Sequence, residues 1–197
     1  MKNDPKLLRQ GLLLEYITLG WNVIGTAVVI AAAIATRSVA FAGFGLDSLI
    51  EIVASSVVVL HLKEMHGARE QQALRFISVA FFLLSAYIFV QSAYTFLWQV
   101  HPSTSAFGIA WLVLTLPVML ALAAGKHRVG VQLNNQVLKT EARVTFVDAC
   151  LAGSVLIGVT LNALIGWWWA DPLAGLVIVV YGFVEGRHAW VESRAAV

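Results

Sequence analysis

The chain has 197 residues, of which 59% are hydrophobic and 12% charged, and its mean hydropathy is +0.81. Soluble domains carry about 25% charged residues, so this composition excludes an ordinary soluble protein and indicates that lipid surrounds the chain. The formal net charge is only +2, without the clustered Lys and Arg of nucleic-acid-binding proteins. A single cysteine, Cys150, excludes a disulfide framework within the chain.

Six apolar segments are long enough to cross a bilayer, which takes about 20 mostly apolar residues. They lie at residues 11–36, 38–61, 74–98, 105–125, 142–166 and 170–187. The first is interrupted only by Glu15 and Asn22. It is longer than the apolar core of a signal peptide, about 7–15 residues, so we expect it to be retained. The longest polar loop is expected at 126–141. The sequence therefore predicts an all-α integral membrane protein, with a single six-helix transmembrane domain over residues 1–197 and no soluble domain.

The distribution of Lys and Arg predicts the orientation of these helices. If the N-terminus is cytoplasmic, only Arg37 among the 13 Lys and Arg residues lies outside. Cytoplasmic loops carry an excess of Lys and Arg, so both termini are predicted to be cytoplasmic. The residues assigned to the inside are Lys2, Lys6, Arg9, Lys63, Arg69, Arg75, Lys126, Arg128, Lys139, Arg143, Arg187 and Arg194.

Four acidic residues fall within the predicted spans: Glu15, Asp47, Glu51 and Asp148. A charged side chain at the bilayer centre costs about 2.5–3.5 kcal/mol on insertion scales. No Lys or Arg lies deep in any predicted span to neutralise these acids. A bound cation, or a proton on each carboxylate, would remove the cost.

The spacing of two of these acids favours a metal site. Asp47 and Glu51 are four residues apart, so they lie on one helix face with Cβ atoms about 5–6 Å apart. Two like charges this close repel each other unless a cation or a shared proton lies between them. The pattern indicates a metal site that also handles protons. The alternative is a pair of neutral acids hydrogen-bonded to neighbouring helices.

Three further polar residues are auxiliary or structural candidates. Glu15 and Asn22, seven residues apart on the first helix, share a face and are candidate auxiliary ligands, with Glu15 also placed to line the cytoplasmic access pathway. The alternatives are a partly solvated acid near the interface and an interhelical hydrogen-bonding amide. Asp171, followed by Pro172, resembles the N-cap of the sixth helix.

Several segments resemble a known family. Residues 38–56 read SVAFAGFGLDSLIEIVASS and resemble the second helix of the cation diffusion facilitator family, in which an acid or His precedes an Asp by four residues. The segments EARVTFVD (141–148), GSVLIG (153–158) and WADPLAG (169–175) resemble the family's fifth helix and its turn into the sixth. By this resemblance the chain is identified as a short variant that lacks the family's C-terminal cytoplasmic domain.

The resemblance implies a transport site shared by helices two and five, with Asp47, Glu51 and Asp148 as metal ligands. The fourth family position, commonly His, is Val144 here, which cannot coordinate a metal. The implied function is a secondary transporter that exports a divalent transition-metal cation in exchange for protons. Zinc is the first expectation, with manganese, iron(II) or cobalt as other cargoes. The metal is a substrate and no prosthetic group is expected. The expected partners are the metal ion, protons, the lipid bilayer and a second copy of the chain in a homodimer, in a bacterial inner membrane.

Two rival functions stay open. One is a non-transporting pseudo-transporter that serves as a membrane partner or regulatory subunit, which Val144 and the missing soluble domain motivate. The other is a proton-coupled carrier of an organic cation, whose charge the acids would match. An enzyme is not expected, because Gly43 and Gly45 lack the third glycine of a dinucleotide-binding loop and no phosphate-binding GxxxxGK[ST] motif occurs.

Overall fold

A computed structural model describes residues 5–64 and 68–195 of the chain. Its helices are α1 (Pro5–Thr36), α2 (Val39–Glu64), α3 (Ala68–Leu97), α4 (Ala106–Leu133), α5 (Gln136–Ile165) and α6 (Ala170–Ala195). The described residues contain no strand, so the predicted all-α class with six helices is confirmed. Of the basic residues assigned to the inside, Lys2 lies outside the described residues, as do the side chains of Lys63 and Arg69.

Five of these helices are long and apolar enough to cross a membrane. Their qualifying segments are Pro5–Thr36, Val39–Leu60, Ser78–Leu97, Ala106–Leu133 and Val137–Ile165. α6 has 26 residues, about 39 Å of helix at 1.5 Å per residue, but Asp171 and Glu185 limit its apolar stretch to residues 172–184. The chain is an integral membrane protein, and the sixth crossing stays a prediction.

The helices extend further than predicted at one side of the bundle only. On the predicted outer side, every helix end lies within one residue of its predicted position. On the predicted inner side, the helices run three to eight residues further. For example, α1 begins at Pro5 instead of residue 11, and α6 ends at Ala195 instead of residue 187. Long charged side chains on terminal turns can reach the membrane interface, so a helix can continue beyond the apolar residues that define its predicted span.

The loop predicted at 126–141 is wrong, because α4 and α5 continue through almost all of it and only two residues connect them. Asn134 ends α4 in the left-handed conformation (φ 49°, ψ 39°), and its N–H donates to carbonyls of the last turn. Asn135 is the N-cap of α5, and its side chain accepts a hydrogen bond of 3.0 Å from the Leu138 N–H. Asn suits both positions, because it tolerates the left-handed region and is a strong N-cap. Lys126 and Glu141 are thereby helical and inside the bundle.

The beginning of α2 is capped by a residue from α6. Ser38 Oγ accepts a hydrogen bond of 3.1 Å from the Phe41 N–H. The Asp171 carboxylate accepts hydrogen bonds from the Ser38 hydroxyl and, at 2.9 Å, from the Val39 N–H. The expectation that Asp171 caps α6 is therefore wrong. That helix begins at Ala170, and the carboxylate is directed to the N-terminus of α2.

The two central helices are α2 and α5. Within their apolar segments 59% and 56% of the residues are buried, against 33–39% for α1, α3 and α4. α2 packs against α1, α3, α5 and α6, and α5 packs against α2, α4 and α6. α6 approaches α3 closely at Gly182, where a Cβ atom would lie 2.7 Å from Ser85 Oγ. Small residues of this kind let membrane helices approach each other. Side chains between α2 and α5 are consequently shielded from both lipid and water.

Candidate metal transport site

The three predicted metal ligands come together between the central helices. Asp47 and Glu51 on α2 are each 1% exposed, and Asp148 on α5 is 2% exposed. The Asp148 carboxyl group is a close neighbour of both the Asp47 and the Glu51 carboxyl groups. A contact between two carboxyl groups becomes a hydrogen bond only when one of them carries a proton. The neighbouring acids therefore need either shared protons or a cation.

Most oxygens of this group have no other partner. Both carboxyl oxygens of Asp47, Oε2 of Glu51 and Oδ2 of Asp148 are buried without a hydrogen-bond donor. A buried carboxylate without a partner is strongly unfavourable, so such groups pair with a cation or take up a proton. The chemistry of this donor set therefore fits a cation or exchangeable protons.

The carboxyl groups adjoin one another without forming a finished coordination site. Within the part of the chain that the structure describes, no set of three or more His, Cys, Asp or Glu side chains is placed so that it could hold a metal ion. Joint ligation by Asp47, Glu51 and Asp148 therefore requires these side chains to be rearranged from their positions in this structure.

Thr145 is a site residue that the sequence reading missed. It is fully buried, three residues before Asp148 on α5, and its Oγ1 donates a hydrogen bond of 2.9 Å to Glu51 Oε1. Val144, the position of the family's usual His, is also buried and belongs to the main hydrophobic core. Next to the position of the family's His, the hydroxyl of Thr145 thus makes the polar contact between α5 and Glu51 on α2.

A buried ion pair lies next to these residues. Glu15 on α1 and Lys126 on α4 have fully buried side chains, and Glu15 Oε2 lies 3.1 Å from Lys126 Nζ. The expectation that no base lies deep in the bundle is therefore wrong. It failed because Lys126 was assigned to a loop, whereas α4 continues to Leu133. The ammonium group of Lys126 therefore gives the buried acids a positive partner that was not predicted from the sequence.

Glu141 is a second buried residue that was assigned to the loop. It is 3% exposed, and its Oε1 lies 3.2 Å from Lys126 Nζ and accepts a hydrogen bond of 2.6 Å from Ser55 Oγ. Lys126 Nζ also donates to Thr145 Oγ1 at 3.0 Å. The ion pair is thereby connected through Thr145 to Glu51 of the carboxylate group.

The remaining candidate, Asn22 on α1, is 1% exposed, and its Nδ2 has no hydrogen-bond acceptor. Burial excludes solvent from both α1 candidates, which argues against the partly solvated alternative for Glu15. That Glu15 or Asn22 is an auxiliary ligand stays a prediction.

Comparison with known proteins identifies the family. None of the curated proteins matches the chain. The profile of the cation efflux transmembrane domain matches residues 16–196, nearly the whole length. Members of this family are transporters of metal cations, not enzymes. On this match, the chain belongs to the cation efflux transmembrane domain family, the membrane part of the cation diffusion facilitators.

Proposed function

We propose that this protein exports a divalent transition-metal cation in exchange for protons, with Asp47, Glu51 and Asp148 as the metal ligands. The observation that carries the proposal is the group of adjoining, buried carboxyl groups on α2 and α5 whose oxygens lack donors. Family membership supports metal cation efflux as the general activity. Acids inside membrane bundles commonly mark ion pathways and proton relays.

Exchange follows from the chemistry of the carboxyl groups. A carboxyl group must lose its proton before it can bind a metal, so metal binding releases protons and protons displace metal. Because Asp148 neighbours both acids of α2, a proton on one of them can be shared with the next. The three carboxyl groups therefore bind either the metal ion or protons, but not both at once.

Ligation requires the three carboxyl groups to rearrange, because they adjoin one another without forming a coordination site. A bound metal would draw the α2 and α5 oxygens toward one centre. We propose that this couples to alternating access, in which one part of a bundle rocks against another around a fixed site.

The donor set favours zinc without excluding harder ions. All three proposed ligands offer oxygen, and Val144 supplies no imidazole. Carboxylate and water suit manganese, whereas zinc exceeds manganese in affinity at most nitrogen or oxygen sites. We therefore propose zinc as the main cargo, with manganese, iron(II) and cobalt accepted more readily than by a site that contains His.

The wider setting is proposed on the same grounds. We place both termini in the cytoplasm because nearly all Lys and Arg residues fall in sequence segments on one side of the predicted spans. Resemblance to cation diffusion facilitators supports a homodimer in a bacterial inner membrane. The transported ion is a substrate, so no prosthetic group is proposed. Crosslinking in native membranes and light scattering of the purified protein test the dimer.

The function is tested in sealed proteoliposomes that contain a pH-sensitive dye and a zinc indicator. We expect a zinc gradient to drive protons the opposite way in the wild-type protein, and Asp47→Asn and Asp148→Asn to abolish both fluxes. Asn keeps the shape and hydrogen-bonding capacity but not the charge. Glu192→Gln is the matched control, because it removes an acid that is 26% exposed and paired with Arg143 at the end of α6.

Each result has a distinct meaning. Zinc flux without proton movement would reject the exchange, and wild-type zinc flux in Asp47→Asn would reject the proposed ligands. Absence of zinc flux in the wild-type protein, with retention of folded protein in the vesicles, would favour a non-transporting role. Flux of an organic cation without zinc flux would favour a proton-coupled carrier of an organic cation.

A further inference from the structure

Lys126 is a fully buried ammonium group within the helix bundle. Its Nζ lies 3.1 Å from Glu15 Oε2 on α1 and 3.2 Å from Glu141 Oε1 on α5, and donates to Thr145 Oγ1 at 3.0 Å. The side chain of Lys126 is 0% exposed, as is that of Glu15. A lysine in this environment is costly unless its charge is matched, and two carboxylates match it here.

The position of this group relative to the transport site follows from the pairing of α2 with α5. The polar side chains of these helices meet in three successive pairs, which are Ser55 with Glu141, Glu51 with Thr145, and Asp47 with Asp148. Since residue numbers fall along α2 as they rise along α5, the helices are antiparallel. Lys126 contacts the α5 members of the first two pairs. It therefore lies on the predicted cytoplasmic side of Asp47 and Asp148.

An ammonium group at this position interacts with any cation that approaches from the cytoplasm. Two charges inside a protein interact far more strongly than in water, because the surroundings screen them less. A divalent ion near Glu51 is repelled by Lys126, and both cations are attracted by the same carboxylates. On an approach from the cytoplasmic side, the acids that hold Lys126 would precede Asp47 and Asp148.

We propose that Lys126 is a tethered cation that competes with the transported metal for the carboxylates of the inner half of the pathway. With no metal bound, its ammonium group pairs with both Glu15 and Glu141 and offsets one of their two negative charges. When a metal ion reaches Glu51, the ammonium group withdraws toward Glu15, and it returns after the ion has left. Lys126 is thus a positioning residue that sets metal affinity and resets the carrier. This inference rests on the proposed transport function.

Competition makes opposite predictions for the two partners of the ion pair. Lys126→Gln removes the competing charge, so metal binding should tighten by about tenfold or more, while the maximal transport rate falls because the ion is released more slowly. Glu15→Gln removes one anchor of the ammonium group, so Lys126 should compete more strongly and metal binding should weaken. Lys126→Arg keeps the charge and should bind metal like the wild-type protein.

The experiment measures zinc affinity by calorimetry on purified protein in detergent, and KM and maximal rate in proteoliposomes. Arg128→Gln is the matched control, because it removes the same charge from an exposed position on the same helix. Lys126→Gln leaves two buried acids without their cation and can impair folding. The double variant Lys126→Gln/Glu15→Gln removes the ion pair without changing the net charge and should also bind zinc more tightly.

A simultaneous fall in KM and in maximal rate for Lys126→Gln, absent from Arg128→Gln, would support the inference. A structural role alone would instead raise KM or leave it unchanged, and an unchanged or weaker affinity in the folded single or double variant would overturn the inference. Asp47→Asn separates this failure from that of the proposed function. If Asp47→Asn loses zinc binding while the Lys126 variants bind like wild type, only the competition is wrong. If Asp47→Asn binds like wild type, the transport site itself is wrong.

Discussion

Thr145 is held by its two neighbours in one hydrogen-bonding arrangement. A hydroxyl group has one hydrogen to donate and two lone pairs, whereas an ammonium group can only donate. Because Lys126 Nζ donates to Thr145 Oγ1, the hydroxyl hydrogen is directed to Glu51 Oε1. Glu51 Oε1 is thereby fixed as an acceptor, and Oε2, which has no donor, is the oxygen left for a cation.

Replacing Thr145 with Val tests this arrangement, because Val keeps the side-chain volume but has no hydroxyl. Glu51 Oε1 then loses its donor inside the bundle, so we expect a loss of about 1–3 kcal/mol in stability and weaker zinc binding. Thr145→Ser keeps the hydroxyl and should retain zinc affinity. Thermal unfolding in detergent and zinc titration measure the two effects. A Thr145→Val protein with wild-type stability and affinity would contradict the role assigned to the hydroxyl.

Val144→His tests where the family's fourth ligand would lie. An imidazole four residues before Asp148 would share its helix face, and imidazole suits zinc better than manganese. We therefore expect the ratio of zinc to manganese affinity to rise, as measured by calorimetry with each ion. Val147→His is the matched control, because Val147 belongs to the same hydrophobic core but adjoins Asp148 in sequence. An unchanged ratio in Val144→His would show that position 144 does not face the ligands.

The meeting of Asp47, Glu51 and Asp148 could be predicted from the sequence, whereas their charged neighbours could not. Hydropathy alone assigns Lys126 and Glu141 to a loop, because both lie in a polar stretch. The helical spacing of Glu141 relative to Asp148 would have indicated that Glu141 lies near the site. Glu141 is seven residues before Asp148 and shares its face, but this spacing has meaning only once α5 is known to begin before residue 141.

At the scale of helices, hydropathy located the outer ends and misplaced the inner ends. The outer ends of α1 and α2 are set by a short turn at Arg37, whose φ of 57° lies in the left-handed region and does not continue a helix. At the inner ends the helices continue into charged segments. Hydropathy places the end of a span at the first charged residues, although the backbone remains helical beyond them. The Asn134–Asn135 turn was a better signal than the charges around it, since the two residues cap α4 and α5.

The cap that α6 supplies to α2 gives a prediction about stability. Asp171→Ala removes the acceptor of the Val39 N–H and of the Ser38 hydroxyl, so we expect a loss of about 0.5–2 kcal/mol. Asp171→Asn keeps one acceptor oxygen and should lose less. Thermal unfolding in detergent measures both, with Glu192→Gln as the control for loss of an acid. If the Ala variant unfolds at the wild-type temperature, the cap contributes nothing to the fold.

For the whole molecule, the proposed exchange predicts how transport depends on pH. As cytoplasmic pH falls, protons occupy a larger share of the Asp47, Glu51 and Asp148 carboxyl groups and fewer of them can bind metal. Zinc export should therefore slow as the cytoplasmic side becomes more acidic, with the outer pH held constant. Stopped-flow measurements in vesicles of known orientation check this. A rate that does not change with cytoplasmic pH would count against proton exchange.

The two shortest connections in the chain have a mechanical consequence. Arg37 and Ser38 join α1 to α2 at the predicted outer face, whereas Asn134 and Asn135 join α4 to α5 at the inner face. Each pair of helices is therefore tied at one end and free at the other, and the tied ends lie on opposite sides of the membrane. In the predicted orientation, α1 and α2 would separate more readily at the cytoplasmic side, and α4 and α5 at the outer side. In the proposed exchange, inward and outward opening would then fall to different hairpins, with the acids of α2 and α5 between them.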